Sequence, residues 1–204
     1  MPVKNDNLLI LFAKNNLFRP EARSSDREKS GWISRFFLIN GYHHPQGICY
    51  DKAICLTNGS VIDETWKEAG FWQMKLHGGD LGERLYDAFS GAFRNHYKKV
   101  VILAGNYGAT EISLVKGAFN SLTENEIVIG PDNAGGYYLL GMKQMMNHLF
   151  INKQWNGHAV LKDTIRDILL SGKSFHMIEP FDGSKHEPDT IQQDQPETVM
   201  SVSR

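Results

Sequence analysis

The chain is short of cysteine: Cys49 and Cys55 are the only two in 204 residues. Two cannot staple a disulfide scaffold, and their spacing matches no zinc motif. Both read as free thiols in a reducing compartment. A charge excess of one sign is also missing. Lys and Arg number 22 against 23 Asp and Glu, for a formal charge of −1. That excludes a general nucleic-acid or membrane-surface binder working through bulk charge. Long hydrophobic runs are absent too. The apolar run near the start, Leu8 to Ala13, is too short for a signal-peptide core, and nothing approaches a membrane span. The expectation is a cytoplasmic protein with neither nucleic acid nor membrane as partner. No internal repeat is visible.

What is present is a 41% hydrophobic content, enough for one sizeable core. A single domain is expected over residues 1–182. Residues 183–204 have no aromatic, two prolines and many polar groups, and read as a polar tail unable to bury a core. A tail of this kind leaves a homo-oligomer open.

Buried apolar runs read as strands at Leu8–Ala13, Ala53–Leu56, Val100–Ala104, Ile127–Ile129 and Tyr137–Leu140. Phe71–Leu76 reads as an edge strand and Phe175–Ile178 as a last strand. Helical spacing marks Glu28–Asn40, Val61–Glu68, a helix begun by Asp80, Thr110–Leu122, Lys143–Phe150 and His158–Leu170, the last closed by Gly172. In the Asp80 helix, Leu81, Leu85, Ala88, Phe89, Ala92 and Phe93 form the predicted inward stripe; in the last helix, Leu169 is among the inward residues. Strands alternating with helices imply a layered α/β fold with a largely parallel sheet. Ligands of such sheets bind outside the carboxyl ends of the strands. Breaks after Ala13, at Gly105–Gly108 and at Gly130–Gly136 are expected side by side at that rim.

The stretch Gly130 to Met142 is the most informative. Gly130-Pro131 ends a buried strand, Gly135-Gly136 allows a tight turn or a close backbone approach, and Tyr137 to Leu140 resumes as a strand. A ligand pocket floored by backbone and an ordinary hairpin with a long turn both fit this pattern.

Leu9 to Lys14, Gly79-Asp80-Leu81-Gly82-Glu83-Arg84-Leu85, Gly130-Pro131, Gly135-Gly136-Tyr137-Tyr138-Leu139-Leu140-Gly141 and Trp155 follow one another in order. Together they resemble the bacterial glycosyltransferase-like family known as radical-SAM/selenodomain-associated transferase 1. It is a branch of the nucleotide-diphospho-sugar transferase (GT-A) fold, akin to molybdenum-cofactor guanylyltransferases. The resemblance implies a GT-A-like three-layer α/β fold with a mostly parallel mixed sheet. It also implies binding of a nucleotide or nucleotide-sugar, with Mg²⁺ or Mn²⁺ bridging its phosphates. The ligand-binding rim would be Lys14, Arg84, Asn106, Asp132, Gly135, Gly136 and Tyr137.

The chain departs from that family at the chemical positions. After Lys14 the family has glycine and Lys-Thr-Arg-Leu; here Asn15-Asn16-Leu17-Phe18-Arg19 follow. The family's Asp-Cys-Pro after the fourth strand is Asn106-Tyr107-Gly108, and its Asp before the paired glycines is Ala134. Its Ser-Thr after the tryptophan is Asn156-Gly157, and its closing Asp-Val-Asp-Thr is Asp182-Gly183-Ser184-Lys185. Scaffold motifs are kept while metal-binding carboxylates are largely replaced, so no catalytic residue and no metal ligand is assigned. Two readings follow: a divergent glycosyltransferase or nucleotidyltransferase, or a non-catalytic pseudoenzyme acting as a binding or assembly module.

Individual residues sharpen this. Asp80 and Glu83 read as a capping box, with Glu83 returning to the Asp80 amide. Arg84 could reach a phosphate or pair with a surface carboxylate. Asp132 reaches a metal only through a shifted loop. Strand alternation puts Tyr137 and Tyr138 on opposite faces. His158, Asp182 and His186 have no spacing that forces them together.

Overall fold

The apolar runs pair into one sheet, and the stretches between them pack on its two faces. The computed structural model describes residues 5–13, 49–56, 62, 64–68, 70–104, 112–155 and 157–180. In chain order the elements are β1 (Asn7–Ala13), β2 (Asp51–Leu56), α1 (Glu64–Glu68), β3 (Phe71–Gln73), α2 (Leu81–Arg94), β4 (Lys99–Ala104), α3 (Ile112–Glu124), β5 (Ile127–Pro131), β6 (Tyr137–Met142), a 3-10 turn (Asn147–Phe150), α4 (Val160–Leu170) and β7 (Phe175–Met177).

The strand order is β3-β2-β1-β4-β6-β5-β7. β1 is parallel to β2 and β4, β2 to β3, and β5 to β7. β6 runs antiparallel to both its neighbours, β4 and β5. The carboxyl ends of β1, β4 and β5 therefore share one rim with the amino end of β6.

Alternation along the strands builds two cores. Leu8, Ile10 and Phe12 face α2 and α4 through Leu85, Phe89 and Ile168. Leu9 and Leu11 face α1 and α3 through Trp66, Val115, Phe119 and Leu122. Each large side chain buried this way contributes roughly 2 kcal/mol. Helices on both faces make three layers.

The alternation breaks once, beside the rim. Gly130 pairs with Leu139 and Pro131 with Tyr137, so Tyr138 is the extra residue of a β-bulge. Tyr137 then packs against the α2/α4 core and Tyr138 lies fully buried in the other. Tyr138 has room because Gly130 has no side chain: a Cβ there would stand 2.6 Å from the tyrosine ring.

Several expectations need correction. Lys143–Phe150 is not a helix. Only Asn147–Phe150 coils, as a 3-10 turn, because the Lys143 amide still donates to the Glu126 carbonyl at 3.1 Å and prolongs the sheet. β3 stops at Gln73, although the Met74 amide adds one more bond to Ile54. Leu81 and Leu169, expected inward, are 39% and 63% exposed. Leu81 opens its helix beyond the packed turns. In α4 the inward line is Val160, Thr164 and Ile168, at i, i+4 and i+8, and Leu169 is turned away from it. The expected helix Glu28–Asn40 and the breaks after Ala13 and at Gly105–Gly108 lie outside the described residues. Among the described residues no helix is long and apolar enough to cross a membrane.

Candidate functional site

The rim is built from three short segments. The first leads from β3 into α2. Gly78 has φ +132°, and a Cβ on it would meet Glu83 Cβ at 2.6 Å, so only glycine makes this turn. Asp80 caps α2, its Oδ1 accepting the Glu83 amide at 2.8 Å. Glu83 returns its Oε2 to the Gly79 amide at 2.6 Å, one residue earlier than the capping box predicts. Both carboxylates thus hold the helix start. Among the described residues Arg84 pairs with no carboxylate; its Nε donates to the Gly78 carbonyl at 3.2 Å and closes the same turn.

The second segment joins β5 to β6. Asp132 Oδ1 accepts the amides of Ala134 at 2.8 Å and Gly136 at 2.7 Å. The Asp132 amide donates to the Gly136 carbonyl at 3.1 Å, which closes the loop. Two charge-assisted bonds to backbone amides make this aspartate the loop's internal brace. Gly135, at φ +86°, lies so close to the third segment that a Cβ would be 2.1 Å from the His158 carbonyl oxygen. Hairpin topology is the outcome, with a backbone-floored turn at the rim.

The third segment, from Lys153 into α4, ties the other two together. The Trp155 ring packs on Gly82, whose added Cβ would be 2.0 Å from the indole Nε1. Trp155 also stacks on Phe150 with centroids 6.3 Å apart. His158 Nδ1 lies 2.8 Å from the Ala134 carbonyl, a bond that requires its proton on Nδ1. α4 has no side-chain cap; instead the Leu161 amide donates to the Gly135 carbonyl at 3.0 Å. The Lys153 side chain, 2% exposed, is fastened to Asp167 of α4 at 2.5 Å.

Of the expected rim residues, Asp132, Gly135 and Gly136 meet in one loop, and Arg84 stands in the first turn of α2. Tyr137 follows the loop as the first residue of β6 and is half-buried. Its ring runs inward beside Thr164, and the two hydroxyls are sealed from solvent without reaching hydrogen-bond geometry. Burial raises the Tyr137 pKa, which the neighbouring Thr164 hydroxyl only partly offsets. Tyr138 donates to the Glu179 carbonyl at 3.2 Å and is pushed up to about 12 by burial and then by the Glu179 charge. Tyr138, fully buried, presents no face for stacking a base. Lys14, Asn106, Asp182 and His186 lie outside the described residues. His158 serves the loop and no metal cluster: among the described residues no three His, Cys, Asp or Glu side chains gather at one point.

Sequence reasoning missed the contact of Trp155 with Gly82. A glycine in the first turn of a helix, where it costs about 1 kcal/mol against alanine, was the available signal.

A family model described as "Uncharacterized protein conserved in bacteria (DUF2064)" matches residues 45–157. The chain belongs to this DUF2064 family. The match takes in the α2 start, the β5–β6 loop and Trp155. No curated protein matches the DUF2064 chain. Among solved structures it is similar to a candidate nucleotide-diphospho-sugar transferase from Desulfovibrio desulfuricans, at 22% identity and TM-score 0.68, covering 86% of this chain and 80% of that one. It is also similar to the 4-diphosphocytidyl-2C-methyl-D-erythritol synthase of Anaerococcus prevotii, at 10% identity and TM-score 0.56 over 86% and 87% of the two chains. A cytidylyltransferase of Leptospira borgpetersenii matches at 11% identity and TM-score 0.52 over 87% and 76%. These are likenesses of fold. The DUF2064 protein has a GT-A-like α/β fold with a mixed, mostly parallel sheet.

Proposed function

We propose that this DUF2064 protein is a divergent member of the radical-SAM/selenodomain-associated transferase 1 branch. It binds a nucleotide or nucleotide-sugar at the rim between Lys14, Arg84, Asn106 and the 132–136 loop. Residues 1–182 carry this function as one domain, with 183–204 as a tail. The supporting observation is the braced loop at the carboxyl end of β5. It stands where ligands of such sheets bind, with Asn133 and Ala134 exposed at its tip, in a fold shared with nucleotide-diphospho-sugar transferases.

The described residues fit a divalent cation poorly. Asp132 Oδ1 is committed to two amides, and Ala134 offers no ligand where the resembling family has aspartate. Mg²⁺ or Mn²⁺ enters this reading only as an ion brought by the nucleotide's own phosphates, and no chemical step is assigned to it. The same observation favours the second reading, a pseudoenzyme that keeps the fold as a binding or assembly module.

A thermal-shift panel of nucleotides and nucleotide-sugars, with and without Mg²⁺ and Mn²⁺, separates the two. A ligand at a hundred times its Kd adds about 2.7 kcal/mol, several degrees in a domain of this size. A shift with one nucleotide supports the first reading and names its donor class. Silence across the panel sinks it.

A further inference from the structure

The sheet ends in β7, and that edge is open. The Ile127 amide donates to the Ser174 carbonyl at 3.1 Å, and the Ile178 amide to the Ile129 carbonyl at 2.9 Å. Ser174, His176 and Ile178 therefore turn their backbone groups toward β5. Those of Phe175 and Met177 point the other way, where among the described residues no further strand follows. Edge strands are ordinarily blunted by lysine, proline or a bulge; Phe175-His176-Met177 has none of these. Apolar side chains stand beside it. Leu169 and Leu170 end α4 one short turn before the strand, Leu170 being 79% exposed, and Met177 itself is 42% exposed. The two ends of the stretch carry opposite charge. Before it, Lys173 and Lys143 both act on the single carboxylate of Glu126, 2.6 Å from Lys173 Nζ, which leaves that end positive. After it, Glu179 is exposed.

We propose that β7 is an interface with a second copy of this chain, the two strands pairing antiparallel about a two-fold axis at His176. That register sets Phe175 opposite Met177 of the other copy, and the outward backbone groups of each pair exchange both bonds. Moving the axis to Phe175 or Met177 would also satisfy the backbone. Only the axis at His176 brings the Lys173 end of one strand to Glu179 of the other, and parallel pairing would set like charges together. Met177 of the other copy then arrives beside Phe175, at the end of β7 where Leu169 and Leu170 stand, so the exposed apolar groups leave water together. The same patch meets itself, so the contact closes as a dimer and does not propagate. The interface stands independently of the nucleotide reading of the rim.

The test is sedimentation of the full-length chain over a concentration series, joined to amide hydrogen exchange. A monomer–dimer equilibrium with Kd on the order of 10 µM is expected, a short strand and a few apolar side chains making a small interface. Exchange at the Phe175 and Met177 amides should slow as the dimer fills. Met177→Lys sets a charge on the pairing edge and should weaken the dimer at least about tenfold. Leu170→Lys, at a side chain the fold leaves in water, should weaken it about fivefold, and Glu179→Lys, which faces Lys173, about threefold. A one-chain mass at about 500 µM, well above that Kd, would overturn the proposal. So would a dimer that survives Met177→Lys and Leu170→Lys unchanged, or one whose Phe175 and Met177 amides exchange as fast as in the monomer. Slow exchange at those two amides in the monomer would mean that residues 183–204 of the same chain cover the edge, and would overturn it as well.

Discussion

Gly82 and Trp155 occupy each other's space: any side chain at Gly82 would begin 2.0 Å from the Trp155 Nε1. This contact presses the start of α2 against the segment that also holds the β5–β6 loop. Gly82→Ala should therefore cost about 2 kcal/mol through overpacking and lower Tm by about 6 °C. Calorimetry of Gly82→Ala alone and in a Trp155→Leu background checks the cause. If the clash is with the indole, the added methyl should cost much less in the second background.

The two loop glycines should behave differently. Gly135 has φ +86° and faces a backbone oxygen that cannot swing away, whereas a Cβ on Gly136 would meet only the end of the Asp132 side chain at 2.9 Å. Gly135→Ala should cost about 2–3 kcal/mol, and Gly136→Ala about 1 kcal/mol. Urea unfolding of both variants measures the difference.

Lys153 and Asp167 give an acid-side prediction. Partial burial pushes the Asp167 pKa up, but the bond and charge of Lys153, aided by Arg166, outweigh it and leave the pKa below its ordinary 3.8. A depressed carboxylate contributes stability that is present above its unfolded pKa and lost as pH falls through the folded one. Stability should therefore drop below about pH 4, and Asp167→Asn should remove that part of the drop. The variant also strands a buried lysine, costing about 3 kcal/mol at neutral pH. Denaturant midpoints across pH report both effects.

On the alkaline side the sign reverses. Burial raises the pKa of Tyr50, Tyr97, Tyr137 and Tyr138, and Asp51 adds to the rise at Tyr97. Their neutral forms suit the fold, so this stability is complete below pH 10 and disappears as pH climbs through the raised values, about 12 at Tyr138. Burial lowers the Lys52 pKa and works in the opposite direction below its ordinary 10.5. The net expectation is a steep loss of fold above pH 10, with tyrosinate absorbance rising together with the loss of circular dichroism.

Ala134→Asp with Asn106→Asp returns carboxylates to the positions where the resembling family has them. The double variant should bind Mn²⁺ at least about tenfold tighter than the parent chain. Titration calorimetry decides it; unchanged affinity would mean the rim no longer has the shape of a metal site.

The amino-acid sequence by itself determined the layered α/β class, because apolar runs of strand length and helical stripes obey local periods of 2 and 3.6. It also determined the Asp80 cap and the glycine-rich turn before Tyr137, since capping and positive φ are properties of a few adjacent residues. Only the tertiary structure decided the rest. The bulge at Tyr138 reverses which way Tyr137 and Tyr138 point, because pairing with Pro131 depends on a partner strand and not on local spacing. The Lys143 stretch stays extended because Glu126 offers it a carbonyl. Trp155 claims the space over Gly82 because packing brought two segments distant in the chain together. Spacing along a chain sets which residues can form an element; which groups a side chain finally satisfies is settled by the elements that pack against it.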